Sequence, residues 1–290
     1  MRKMLLYSLP ILLLIGVLLL FAEAVLPAEY VDRSKVGAIL YLSFFLRYVI
    51  ISGLAFMIFF IWKRSNWRYK RIQKQYPEAR SVHREYHYSL STFAIFALIG
   101  IGVHEAYQLG YTRIYTEIAE YGKWYFVFSV LLALVVHDLY FYWTHRLMHW
   151  KPLFKMHRVH HLSHDPSPWA AFSFHPTEAV IEGGILPLLV FTLPMHPLAI
   201  ATFLLIMTVM NVIGHLGHEV YPSGFTRHWL GKWNNTSTHH NMHHRYTRCN
   251  YGLYFNWWDA LMRTNHVAYE RRFEEIATRK RETDQKLDTQ

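Results

Sequence analysis

The residues of this chain best suited to chemistry are eight histidines in three tight groups. They are His145 with His149, His157 with His160 and His161, and His240 with His243 and His244. Residues three and four apart on a helix share a face, with Cβ atoms about 5–6 Å apart, so each group is expected to aim its imidazoles at one point. Neutral imidazole is a good ligand for iron, copper and zinc and a poor one for calcium or magnesium. Eight such ligands exceed what one tetrahedral or octahedral ion takes, which implies two ions. A lone histidine on an apolar face is more often a core hydrogen-bonding group. That explanation fails for a region, His137 to His244, that holds 16 of the chain's 20 histidines.

Helical periodicity separates two neighbours in the third group. His240 precedes His243 and His244 by three and four residues and shares their face. His239 lies about 100° round the helix from it and is expected behind the ligands or in solvent. Carboxylates are scarce here: between His137 and His244 stand only Asp138, Asp165, Glu178, Glu182 and Glu219. That disfavours a carboxylate-bridged di-iron bundle, which takes Glu from each helix. Asp138 and Glu178 are expected to orient ligand imidazoles by hydrogen bonds, and His239 and His218 to serve beside them. Tyr140, Phe141, Tyr142 and Trp143 are candidates for the wall of an apolar substrate channel, although the same spacing suits packing against core or lipid.

The elements that must position these residues are membrane helices. The chain is 52% hydrophobic and only 17% charged over 290 residues. Its net charge of +10 sits in loops flanking apolar runs, which points to anionic lipid and away from nucleic acid. The single cysteine, Cys249, excludes an internal disulfide. Apolar runs at about 5–26, 36–62, 89–109 and 124–143 predict four transmembrane helices. The first could instead be a signal peptide cleaved near Ala22-Glu23-Ala24. Arg47 interrupts the second and is expected to face a helix partner or the interface. From Ala179 to Ile213 the apolar stretch is broken by Pro187, Pro194 and Pro197, which predicts a short helical hairpin.

Between Lys63 and Glu85 stand eight Lys or Arg against two Glu, so this loop is expected on the cytoplasmic side. The histidine groups then form a helical cap on the same face. The fold class is accordingly all-α: a polytopic membrane protein with about four transmembrane helices, a further hairpin and a cytoplasmic histidine-rich cap. It divides into an N-terminal membrane region (1–123), a catalytic domain (124–265) and a charged, solvated C-terminal tail (266–290).

The order His-x3-His, His-x2-His-His and a distal His-x2-His-His resembles the fatty acid hydroxylase/sterol desaturase superfamily of integral-membrane non-haem di-iron oxygenases. Asp138, Tyr142-Trp143 and His145-Arg146-x2-His149 look like its first box. His157-x2-His160-His161 and His240-x2-His243-His244 look like the second and third. His175-Pro176-x-Glu178, Gly214-His215, Asn250-Tyr251-Gly252 and Trp258-Asp259 resemble further landmarks, over about Trp124 to Thr264. The departures are His137 and His218. The resemblance implies two iron ions, with zinc a substitute in recombinant protein, and makes His215 and His175 the next ligand candidates. It also implies O₂-dependent hydroxylation or desaturation of a sterol, fatty acyl chain or other lipid, in lipid biosynthesis.

Electrons would come from NAD(P)H through a separate haem or ferredoxin-type carrier, because the chain has no Gly-rich dinucleotide loop, haem-attachment motif or cysteine cluster. The setting is a bacterial inner membrane or the endoplasmic reticulum. Two other classes compete. A metal transporter would place histidines within its spans. A zinc-dependent membrane hydrolase needs only three protein ligands and an open position. Neither accounts for three histidine groups at a helix end and outside the apolar runs.

Overall fold

The computed structural model describes residues 33–62 and 64–280, and the apolar run 5–26 lies outside them. Among the described residues the regular structure is helical. Four helices are long and apolar enough to cross a membrane. The first, α1 (Arg33–Phe56), ends in a π-helical turn, Met57–Trp62. It is followed by α2 (Ala79–Gln108) and α3 (Ile118–Met148), whose first turn is kinked at Gly122. α2 begins ten residues before its apolar run, because the polar stretch from Ala79 to Tyr88 has no helix breaker.

The hairpin segment differs from two equal arms. Its first arm is two short helices, α5 (Pro176–Gly183) and α6 (Ile185–Thr192), reached through α4 (Phe154–His161). The break has a cause in Pro187, whose ring would clash with the carbonyl of Gly183 four residues earlier. Restarting at Ile185 puts the proline in the first turn, where no amide donor is needed. The second arm, α7 (Pro197–Gly214), runs unbroken for 18 residues, about 27 Å. It is therefore the fourth candidate span.

The chain divides into two compact units. One comprises residues 33–51, 90–137 and 179–208 of the described chain. Within it α1 and α2 approach closely: a Cβ on Gly37 would stand 2.9 Å from Ile101, and one on Gly100 2.7 Å from Leu40. Small residues at such a contact let dispersion act between membrane helices. Arg47 is turned inward, 2% exposed, with its guanidinium 4.8 Å from the centre of the Phe44 ring. The α2–α3 connection is strapped to the hairpin turn, with Arg113 N donating to Val190 O and Tyr115 N to Met195 O.

The other unit comprises residues 52–89, 138–178 and 209–280 of the described chain and contains every histidine of the three groups. Its core helix is α8 (Ser237–Tyr246), of which Ser237 to His244 are all buried. Thr236 caps it by accepting from His239 N, and Glu219 accepts from both the backbone N and hydroxyl of Thr238. A carboxylate there complements the positive end of the helix dipole. After the short helix α9 (Trp257–Leu261), α10 (Tyr269–Ala277) packs on α8. Part of the expected solvated tail is thus docked: Tyr269, Phe273 and Ala277, one turn apart, join Met242 in a buried cluster.

Candidate metal centre

Four helices bring nine imidazoles together. The last turn of α3 carries His145, with His149 just past its end; α4 carries His157, His160 and His161. His215 follows the end of α7, and α8 carries His240, His243 and His244. Their nitrogens form two groups, each with atoms within 4.8 Å of one another. His145, His149, His157, His161 and His243 make one; His160, His215, His240 and His244 make the other.

The sequence groups are therefore split, and only the first aims at one point. Helical geometry supplies the rule. Residues four apart are about 40° apart around the axis, and adjacent residues about 100°. His157 and His161 go together while His160 diverges to the second set; His240 and His244 go together while His243 diverges to the first. Each His-x2-His-His segment gives its four-apart pair to one set and its remaining histidine to the other.

Hydrogen bonds fix the tautomers. His145 Nδ1 is 2.8 Å from the Tyr251 carbonyl, His243 Nδ1 2.7 Å from that of Cys249, and His215 Nδ1 2.8 Å from that of Asn211. His157 Nδ1 is 2.6 Å from Glu178 Oε1. A carbonyl or carboxylate can only accept, so each of these Nδ1 atoms carries the ring proton and each Nε2 is a bare lone pair. Yet His145 Nε2 and His157 Nε2 lie 3.0 Å apart. Two lone pairs at that distance repel unless a cation lies between them. In the second set His215 Nε2, also bare, has the Nε2 atoms of His160, His240 and His244 at 3.2, 3.0 and 3.2 Å.

A proton is a poor candidate for that cation. Burial, with neighbouring imidazoles adding to it, holds His157, His160, His240, His243 and His244 well below the usual histidine range. Burial likewise lowers His161 to about 3 and His215 to about 4. A metal ion fits: imidazole nitrogens sharing one ion at about 2.1 Å stand about 3.0 Å apart at right angles and about 3.4 Å apart at tetrahedral angles. The observed spacings of 3.0–3.2 Å lie in the range expected of nitrogens sharing one ion.

The other candidates from the sequence are placed differently. His175 joins neither set; it is half-buried, with Nδ1 2.8 Å from Thr177 Oγ1. His239 Nε2 faces Asn265 Oδ1 at 3.2 Å and Asp259 at 3.5 Å. His218 packs between Phe59 and Phe60, with its Nδ1 bonded to the Leu216 carbonyl. Asp138 touches no ligand; its Oδ1 accepts from the backbone N of Tyr254 and Phe255. Tyr142 is fully buried and bonded to Thr264, Trp143 is largely exposed and Tyr140 half-buried. Of the four aromatic candidates Phe141 faces the imidazoles, 4.9 Å from His145, and so does Tyr251, 5.3 Å from His149. Burial pushes the Tyr251 phenol up to about 12 and the Cys249 thiol up to about 12, so both stay neutral.

Residues 130–264 match the family model described as Fatty acid hydroxylase. The chain is similar to a Delta(7)-sterol 5(6)-desaturase of Gibberella zeae, 28% identical over 235 residues, 81% of this chain and 70% of the relative. It is similar to the lathosterol oxidase of Homo sapiens, 26% identical over 183 residues, 62% of this chain and 60% of the relative. A methylsterol monooxygenase of Aspergillus fumigatus is 30% identical over 173 residues, 57% of each chain. The chain thus covers less than two thirds of the length of the latter two. No solved structure matches it.

Proposed function

The chain belongs to the fatty acid hydroxylase/sterol desaturase superfamily, and on that premise we propose that it is a membrane oxidoreductase that uses dioxygen to oxidise an unactivated C–H bond of a lipid. The observation that carries the reading is the convergence of nine imidazoles, eight buried and His149 half-buried, in sets of five and four, with bare lone pairs facing one another. The relatives compared above are named for oxidation of sterols, so the substrate class we propose is a sterol or a sterol-like polycyclic lipid.

The two sets would hold two iron ions, which would supply the activation of dioxygen and the oxidation of the C–H bond. The protein's contribution is to hold and insulate them. Neutral imidazoles would leave the charge of such ions uncompensated, because among the described residues no carboxylate belongs to either set. Glu178 and the carbonyls of Tyr251, Cys249 and Asn211 fix the rings in the tautomer that presents Nε2. Phe141, Phe154, Phe174 and Tyr251 pack against the imidazoles and keep water from them. Electrons reach the centre from NAD(P)H through a separate carrier protein, and the histidine face is cytoplasmic.

Comparative lipidomics of a deletion strain tests the reading. Loss of a lipid that differs from its accumulated precursor by one oxygen or by two hydrogens is expected, and identifies hydroxylation or desaturation. An unchanged lipid profile, with no substrate-coupled oxygen consumption by the purified protein, would sink it.

A further inference from the structure

Among the described residues, the loop 249–255 accepts ring protons from two ligand histidines, both of the five-histidine set. Its Cys249 and Tyr251 carbonyls take the Nδ1 protons of His243 and His145. The fixed tautomer of His215 in the four-histidine set comes from Asn211, on α7. Four amides of the same loop donate to buried carboxylates. Tyr251 N and Gly252 N go to Asp259 Oδ1 and Oδ2 at 2.9 and 2.7 Å, and Tyr254 N and Phe255 N go to Asp138 Oδ1.

The decisive unit is the peptide between Tyr251 and Gly252. A trans peptide is rigid, and its C=O and N–H point in opposite directions. Here the N–H donates to Asp259 Oδ2 and the C=O accepts from His145 Nδ1. One plane therefore links the carboxylate to the imidazole, and the charge of Asp259 polarises the carbonyl that orients the ring. Only glycine allows the approach: a Cβ at Gly252 would stand 2.7 Å from Phe255 O and 3.0 Å from Asp259 Oδ2. Thr264 Oγ1 donates to Asp259 Oδ1 at 2.7 Å and completes its seating.

We propose that Asp259 is a positioning residue for His145, acting through the Tyr251–Gly252 peptide, and that the five-histidine ion depends on it while the four-histidine ion does not. The inference rests on the reading of the centre as dinuclear. A carboxylate behind a metal-bound histidine ordinarily contacts the ring directly, as Glu178 does with His157. At His145 a peptide is interposed.

The test is metal content of the full chain, purified in detergent, as wild type and as Asp259→Asn. The amide is isosteric but turns a donor toward a backbone N–H. Wild type should hold two ions and Asp259→Asn about one, with unchanged helix content and a single elution peak. His240→Ala should also hold about one, and the double variant about none. Two ions in Asp259→Asn, or none in a folded protein, overturns the selectivity and leaves the dinuclear reading standing. Fewer than two in the wild type overturns both. If Asp259→Asn does not fold, Thr264→Val carries the test through chelator kinetics. One of the two release phases should accelerate several-fold, the one that His240→Ala leaves in place, and the other should not move; equal acceleration of both, or of neither, overturns the proposal.

Discussion

His239 and His240 are adjacent on α8 and both buried, yet their nitrogens face different partners. His240 Nε2 stands 3.0 Å from His215 Nε2, and His239 Nε2 stands 3.2 Å from Asn265 Oδ1. His240→Ala removes one of four nitrogens and is expected to lower bound metal and abolish product. His239→Ala is expected to keep the metal and part of the activity. Measuring bound iron and product for both variants decides the matter; equal losses would contradict the assignment.

The Glu178–His157 contact, 2.6 Å between fully buried groups, is a charge-assisted bond that orients a ligand of the five-histidine set. Glu178→Gln keeps the shape and removes the charge. Metal affinity should fall about 10–100-fold, the usual cost of losing such a partner. A chelator titration of the variant against wild type reads this directly, and unchanged affinity would place Glu178 outside the centre's support.

Acid should weaken both the fold and the metal site. Burial holds His161 at about 3 and His215 at about 4, below the ordinary 6.5 of an unfolded chain. As pH falls through 6.5 the unfolded state takes up protons that the folded state refuses, so the unfolded state is favoured. Stability from these groups is full above about 6.5 and is lost progressively toward 4 and then 3. Thermal melting of metal-free protein from pH 8 to pH 5 should show a falling midpoint, and a flat profile would contradict it.

Positions 75, 165 and 285 are expected on one side of the membrane, the cytoplasmic one; the last lies outside the described residues. Cys249 is buried, so single introduced cysteines can be labelled over a quiet background. Labelling of position 165 from the side opposite to 75 would overturn the orientation.

Phe273 on α10 is fully buried against the α8 side of the histidine unit. Phe273→Ala should cost about 3–5 kcal/mol of stability, the range for truncating a core phenylalanine. Thermal unfolding in detergent should move down and take metal release with it. Glu270→Ala, on the exposed face of the same helix, should leave both unchanged.

How much of this was legible in the sequence depends on what each feature is made of. The spans followed from apolar runs, because a bilayer imposes length and composition together. The second arm of the hairpin is longer than its prolines suggest, because Pro197 opens α7, where proline is tolerated, and does not break it. The apolar face of α10, at Tyr269, Phe273, Ile276 and Ala277, has helical spacing, but the charged residues between obscured it. The division of each His-x2-His-His segment between two sets depends on where its helix lies against three others, which spacing within one segment does not specify. The carbonyls of Tyr251, Cys249 and Asn211 carry no residue identity at all. Of the four aromatic candidates at 140–143 only Phe141 stands one turn before His145, and that four-residue spacing singles it out.

The sharing of α4 and α8 between the two histidine sets has a consequence for biosynthesis. A nascent chain that has emerged as far as His215 already contains His145, His149, His157 and His161, four of the five nitrogens of one cage, but only His160 and His215 of the other. Neither cage is complete until α8 has left the ribosome. Neither ion could then be fully ligated before α8 is made, and its binding would fasten α8 to segments synthesised some 80 residues earlier.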